Sequence, residues 1–406
     1  MVSFRQIQMV CVMYLAAWMI APPLAYATIY RLIAVVAAGV WMLLQNYTKK
    51  TYRNKKMGNN MQRYVLCAVI YIAAVLFCQC VFKKEPIMSA LYGNITTYVL
   101  LLVGYIGGVY CRDERYEELQ KILSFIILLV VVFSITSIFR SDEFYYMTRN
   151  AGGTEDEAYN LLAQKAAMQG VGGFGFFAFS AAFSPMVLWY SYFRSKRKKI
   201  WLRIAFIIIE IGVLSAGYTL ALLISILGIA ICLFYNMRSR YGKLLVVLTC
   251  FVLLLFWDSV SKVLYVGLQN MSAGTMYANK VEDIFSFLLE GNSTGTFEAR
   301  QERYLYSLQS IFRYPVLGSY ILAGVNAIGS HSSILDPFAA YGWFVGMAWL
   351  YIVIVFPYKM ANSSRGNGIK QIVFTTLFFT ALFNRTTMIM GMFFLIVPAI
   401  ESVYKS

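Results

Sequence analysis

Residues 200–236 read IWLRIAFIIIEIGVLSAGYTLALLISILGIAICLFYN, and only Arg203 and Glu210 carry charge across the whole stretch. One helix of this length, at about 1.5 Å per residue, would run about 55 Å, far beyond a hydrocarbon core of ~30 Å. Ser215, Ala216, Gly217 and Tyr218 sit at its middle. The reading is therefore two membrane spans, 200–216 and 218–236, joined by a tight turn. In lipid every backbone N–H and C=O must be bonded internally, so apolar runs of this length are helices. A β-barrel would instead require short alternating segments, and the sequence has none.

The same signature recurs along the chain. Apolar runs at 4–21, 25–46, 64–82, 93–110, 122–139, 174–193, 244–262, 335–356, 370–383 and 387–402 complete an expected set of about twelve spans. The chain as a whole agrees with this. It is 60% hydrophobic and only 13% charged, where a soluble domain carries roughly 25% charge. Its mean hydropathy is +0.63. The N-terminal run continues past Pro22-Pro23 into a second one with no small-residue cleavage site before it, so it reads as a retained first span. The fold class expected is an all-α integral membrane protein, residues 1–406 forming one polytopic domain.

The net charge of +16 is distributed in a way that sets orientation. With the N-terminus inside, about two thirds of the 35 Lys and Arg fall in inner segments, and about two thirds of the 19 acids fall outside. Lys49, Lys50, Arg53, Lys55 and Lys56 make one inner cluster; Arg194, Lys196, Arg197, Lys198 and Lys199 make another. Rich and poor segments alternate at every turn, so both termini are expected in the cytoplasm. The basic residues then face anionic inner-leaflet lipid. Nucleic-acid binding would need basic residues interleaved with stacking aromatics on one soluble face, which is absent. The seven cysteines lie in or beside apolar runs and show no metal-ligand spacing such as CxxC. No phosphate-binding G-x-x-x-x-G-K-[ST] occurs. The glycines from Gly170 to Gly175 lack that context and suit close helix packing.

Two outer loops, 140–173 and 263–334, exceed what connection requires. The second carries a helical pattern at 298–313. Leu305, Leu308, Ile311 and Phe312 fall at helical spacing on one face, and Arg300, Arg303, Ser307 and Ser310 on another. Such a helix can lie on the outer membrane surface with two guanidinium forks on one side, and those forks match phosphate oxygens bidentately. A solvated face with snorkelling arginines is the plainer alternative. His331, the one histidine of the chain, closes this loop just before a span. Histidine is the side chain best suited to take a proton near neutral pH. Glu210 lies mid-span, where an acid serves packing or proton coupling. Arg31 and Arg385 lie near outer span ends.

The segment from Arg300 to Gly346 resembles the O-antigen ligase and O-antigen polymerase superfamily of bacterial membrane glycosyltransferases. The likeness is carried by Arg300, Tyr304 and Pro315-Val316-Leu317-Gly318, then by His331-Ser332, Leu335 and Gly342, within a matching whole-chain topology. The resemblance implies an outer cavity in the bacterial cytoplasmic membrane and polyprenyl-diphosphate-linked glycans, such as undecaprenyl-diphosphate oligosaccharides, as donor and acceptor. It implies no metal and no cofactor. It implies His331 as the catalytic base and Arg300 as a diphosphate contact. The family's Ser-Arg-Gly-like turn reads Ser215-Ala216-Gly217-Tyr218-Thr219 here, and a glutamate common in the family is Ala340. Arg303, Arg385 or Arg149 would have to supply the missing arginine contact. The expected activity is joining of repeat units into O-antigen or capsular polysaccharide, with a flippase and a chain-length regulator as partners. Transfer of glycan to a lipid or protein acceptor is the alternative within the family; polysaccharide transport is the alternative outside it.

Overall fold

The computed structural model describes residues 4–26, 28–47, 55–110, 167–189, 200–216, 218–237, 239–272, 296–324, 327–360 and 367–384, with isolated positions between. The expected spans at 122–139 and 387–402 therefore lie largely outside the described residues, as does most of loop 140–173. Among the described residues the fold is helical throughout, with no strand. Helices α1 (Phe4–Ile20), α2 (Pro22–Tyr26) and α3 (Thr28–Tyr47) occupy the first two apolar runs. They are followed by α4 (Lys55–Val81), α5 (Ile87–Gly93) and α6 (Ile95–Tyr110). The middle of the chain forms α7 (Phe174–Leu188), α8 (Ile200–Ala216), α9 (Thr219–Asn236), α10 (Arg240–Leu255) and α11 (Trp257–Ser272). The last part forms α12 (Thr296–Arg313), α13 (Gly318–Ala323), α14 (Leu335–Leu350), a π-helical turn Tyr351–Val355, α15 (Phe356–Met360) and α16 (Asn367–Phe383).

Among the described residues two helical stretches are long and apolar enough to cross a bilayer: Asn59–Val81, with 23 residues, and Leu335–Met360, with 26. A third candidate is the pair α5 and α6, bent by 63° at Asn94. The bend has a local cause. Asn94 Nδ2 donates to Gln79 Oε1 at 2.8 Å and to the Ala90 carbonyl at 2.9 Å, so the side chain takes bonds that compete with helix continuation. Other apolar helices, among them Gln6–Ile20, Ile29–Gln45 and Leu220–Asn236, are shorter. Leu66 and Ile226, among many large apolar side chains, are exposed on helix surfaces. Apolar helices with apolar outer faces suit a membrane.

Several boundaries differ from the sequence reading. Helix α4 begins nine residues before position 64, carrying a polar first turn. The run at 244–262 is broken at Phe256, and α11 continues to Ser272, into residues read as loop. Gly173 and Gly175 do not tighten a helix contact. Gly170 has φ 86 and shapes a turn, and a Cβ at Gly173 or Gly175 would meet nothing within 4 Å.

The core runs through α1, α3, α7, α9 and α16 and includes the fully buried Trp18, Trp41, Phe177 and Phe179. A second seam joins α4 to α6, α14 and α15. Tyr64 Oη donates to the Leu101 carbonyl at 2.8 Å, and its ring lies 4.3 Å from that of Phe356. Tyr71 stacks on Trp349 at 4.2 Å. The seam also bears on the position of His331, because the Trp349 indole N–H bonds the carbonyl of Ser333, two residues further along.

Candidate active site

The site is built where α12, the segment 327–334 and the start of α14 meet. Helix α12 turns its serine face inward. Ser307 is 1% exposed and Ser310 5%, whereas Leu305 is 47% exposed and Phe312 76%. Of the apolar positions read as one face, only Ile311 is buried. The exposed side of α12 mixes Leu305 and Phe312 with Glu302, Arg303, Gln309 and Arg313, the composition of a helix at a boundary between lipid and water.

Ser307 is the hinge of a buried hydrogen-bond network. Its Oγ accepts from Gly329 N at 2.8 Å and donates to Asp336 Oδ1 at 2.8 Å. Asp336 Oδ2 accepts from Ser332 N at 3.1 Å. Ser332 Oγ accepts from Leu335 N at 2.9 Å, satisfying an orphan donor in the first turn of α14. Asp336 sits in that same turn, where the helix dipole favours negative charge. Gly329 passes so close to α12 that a Cβ there would overlap the Arg303 carbonyl. Ser333 is fixed from two sides. Its N–H donates to the Ala381 carbonyl at 2.9 Å, and its carbonyl accepts from Trp349 Nε1 at 2.6 Å.

His331 is thereby held against α12. Arg303 Nη1 lies 3.2 Å from Nδ1 and 3.3 Å from Nε2. Nδ1 also faces the Ser330 carbonyl at 3.0 Å, which is presented by the left-handed φ of 58° at Ser330. A carbonyl only accepts and a guanidinium only donates. The Ser330 carbonyl therefore suits a proton on Nδ1, and Arg303 Nη1, almost equidistant from the two ring nitrogens, lies over the face of the ring. The Tyr304 ring stands edge-on to the imidazole at 6.5 Å, and Tyr304 Oη donates to the Phe383 carbonyl at 2.6 Å.

Of the arginines read from the sequence, the structure brings Arg303 to His331. Arg300 occupies α12 one turn earlier, and its side chain is outside the described residues, as is the whole of Arg385. The residue before Arg385 is close to the site: the Asn384 carbonyl accepts from Ser333 Oγ at 2.9 Å and from Ser333 N at 3.1 Å. Glu210 lies elsewhere, with both carboxyl oxygens 2.8 Å from Ser225 Oγ of α9. That contact ties α8 to α9. Sequence reasoning missed Asp336 and the buried role of Ser307. The signal for Asp336 was present: Ser332 three residues before Leu335, with an acid in the first turn, marks a helix start. Among the described residues no three of His, Cys, Asp and Glu come together as a metal would require.

Asp336→Ala would leave Ser332 N–H and the Ser307 hydroxyl without their shared acceptor. Hydrogen bonds to a charged group contribute about 1.5–3 kcal/mol each. A clear drop in thermal stability in detergent is expected, with partial rescue by Asp336→Asn, which keeps one acceptor. An unchanged melting temperature for the alanine variant would remove Asp336 from this role.

Fold and site together define a helical, membrane-compatible chain with an arginine–histidine cluster at the start of one of its longest apolar helices. No protein family, curated protein or solved structure matches the chain.

Proposed function

We propose that the protein is a membrane glycosyltransferase that joins polyprenyl-diphosphate-linked oligosaccharide repeat units into O-antigen or capsular polysaccharide. It would act at the outer face of the bacterial cytoplasmic membrane, with about twelve spans and both termini in the cytoplasm. The observation that carries the reading is the contact between the Arg303 guanidinium and the chain's one imidazole. An anion-binding fork and a proton acceptor stand side by side. The exposed side of α12, where Leu305 and Phe312 stand among Glu302, Gln309 and Arg313, further supports a site at the depth of a lipid diphosphate.

In the proposed reaction His331 Nε2 takes the proton of an acceptor sugar hydroxyl. The oxygen attacks the anomeric carbon of the donor glycan. The bond from that carbon to the diphosphate breaks, and the polyprenyl diphosphate leaves with the electron pair. The imidazolium returns its proton to solvent. Arg300 and Arg303, with Arg385 as a further candidate, hold the leaving diphosphate; fixed positive charge where negative charge develops is among the strongest catalytic devices.

The test is purified protein with lipid-linked repeat units, without added nucleotide. Longer products are expected. Glycan moved across the membrane but not extended would mean a carrier, and glycan passed to a lipid or protein acceptor would mean a ligase. Arg300→Lys keeps the charge but loses the bidentate fork, so polymer yield is expected to fall severalfold or more. A wild-type yield would remove Arg300 from diphosphate binding.

A further inference from the structure

Asn384 follows α16 directly, and nothing in the local fold asks for an asparagine there. Asparagine is favoured after helices where the backbone turns left-handed. Among the described non-glycine residues only Lys84 and Ser330 have positive φ, so Asn384 does not. Its carbonyl accepts from Ser333 N and Oγ, which any residue could do. Its side chain has no such partner. Asn384 Nδ2 is buried and meets no hydrogen-bond acceptor among the described residues. Buried amide donors are nearly always paired, and one left unpaired destabilises the fold. Such a donor is of use where a ligand oxygen comes to it.

The surroundings indicate which ligand. Ser333, bonded to Asn384, is two residues from His331. Tyr304, edge-on to the imidazole, donates to the carbonyl of Phe383. The Phe383 ring is 38% exposed. It stacks on Phe379 at 6.0 Å and meets Tyr304 edge-on at 6.1 Å. Two neighbouring rings thus hold it while part of it stays open. The C–H face of a pyranose packs on an aromatic ring, whose π face is partially negative, and sugar oxygens accept from amide donors. An apolar lipid chain would leave the amide unpaired.

We propose that Phe383 and Asn384 form a sugar subsite beside His331. The ring takes the C–H face of a pyranose of the acceptor glycan, and Asn384 Nδ2 donates to one of its oxygens. The pair seats the sugar whose hydroxyl meets the base. This deepens the polymerase reading and rests on it.

The probe is the repeat-unit oligosaccharide freed from its lipid by mild acid, which keeps the sugars and lacks the diphosphate. Its binding to full-length protein in lipid nanodiscs is read by saturation-transfer NMR. Wild type should bind it. Asn384→Ala and Asn384→Leu should each weaken binding about tenfold, the scale of one lost hydrogen bond. Phe383→Leu should weaken it severalfold, and Phe383→Tyr, which keeps the ring, should bind like wild type. Geranylgeranyl diphosphate, which carries no sugar, should bind every variant alike. Because Asn384 Nδ2 supports no hydrogen bond among the described residues, Asn384→Ala should melt at or above the wild-type temperature. Weaker binding without weaker folding is the mark of a residue kept for its ligand.

Equal sugar affinity in wild type and Asn384→Ala would overturn the subsite. So would absence of sugar binding by wild type, or an equal loss of geranylgeranyl diphosphate binding. A fall in melting temperature alongside lost binding would make Asn384 structural and overturn it as well. The extension assay keeps the two claims apart. Glycan lengthened by protein whose sugar binding ignores both positions loses the subsite and keeps the function. Sugar binding that depends on both positions, in protein that never extends glycan, keeps the subsite and loses the polymerase.

Discussion

His331→Ala is expected to abolish polymer formation while the protein still inserts and folds. The imidazole is half-buried and packs edge-on to Tyr304, but the segment that carries it is held by its neighbours. Ser332 is bonded to Asp336, and Ser333 to Trp349, Ala381 and Asn384. None of those bonds uses the histidine side chain. Deleting the ring therefore removes a proton acceptor and one partner of Arg303 and leaves that scaffold standing. A positioned base contributes about 100- to 10,000-fold in rate, enough to erase a ladder of long glycans on a gel. The measurement is glycan length from cells or nanodiscs, beside a melting curve of the purified variant. A wild-type ladder from the alanine protein would end the assignment of His331 as base. Loss of the ladder together with loss of the melting transition would point to a folding role instead.

How far the sequence could be read depends on the range of the interactions involved. The helices Phe4–Ile20, Thr28–Tyr47, Ile200–Ala216 and Thr219–Asn236 coincide with apolar runs to within about three residues, because apolar length and backbone satisfaction are local properties. The break at Phe256 and the bend at Asn94 were not legible. The first lies inside a run with no Gly or Pro, and the second depends on Gln79, fifteen positions away. The helix at 296–313 was legible from its spacing, but its inward face was not. Helical spacing assigns Arg300, Arg303, Ser307 and Ser310 to one side without saying what that side meets. That side meets the start of α14 and the Gly329 segment, so the serines are buried and Arg303 reaches the imidazole. Choosing Arg303 over Arg300 as the neighbour of His331 required knowing that residues 327–331 fold back under α12, a contact between positions 28 apart in sequence.

The largest stability effect is expected where two backbones cross. Gly342 interrupts α14 with φ 80 and ψ 179, a conformation essentially restricted to glycine. Gly318, in the segment leading from α12, has φ 75. The two stand back to back: a Cβ at Gly318 would overlap the Ala340 carbonyl and Gly342 N, and a Cβ at Gly342 would overlap the Val316 carbonyl. The break also frees Trp343 N from its helical acceptor, and the Pro315 carbonyl takes it at 2.7 Å. An orphan donor inside an apolar helix is thereby satisfied by a turn that only a side-chain-free crossing can bring so near. Gly342→Ala adds the cost of a disallowed backbone to that of pushing two chains apart, together about 3 kcal/mol or more. Gly318→Ala should cost a similar amount. The double variant should cost less than the sum, because both act on one crossing. Gly39→Ala, at a helical position where a Cβ meets nothing within 4 Å, should be neutral or slightly stabilising, by about 0.5–1 kcal/mol. Thermal unfolding in detergent compares the four variants with wild type directly. A Gly342→Ala transition within a degree or two of wild type would mean that α14 runs straight through residue 342. The α12–α14 junction would then not depend on this crossing, and the place of Arg303 beside His331 would need another support.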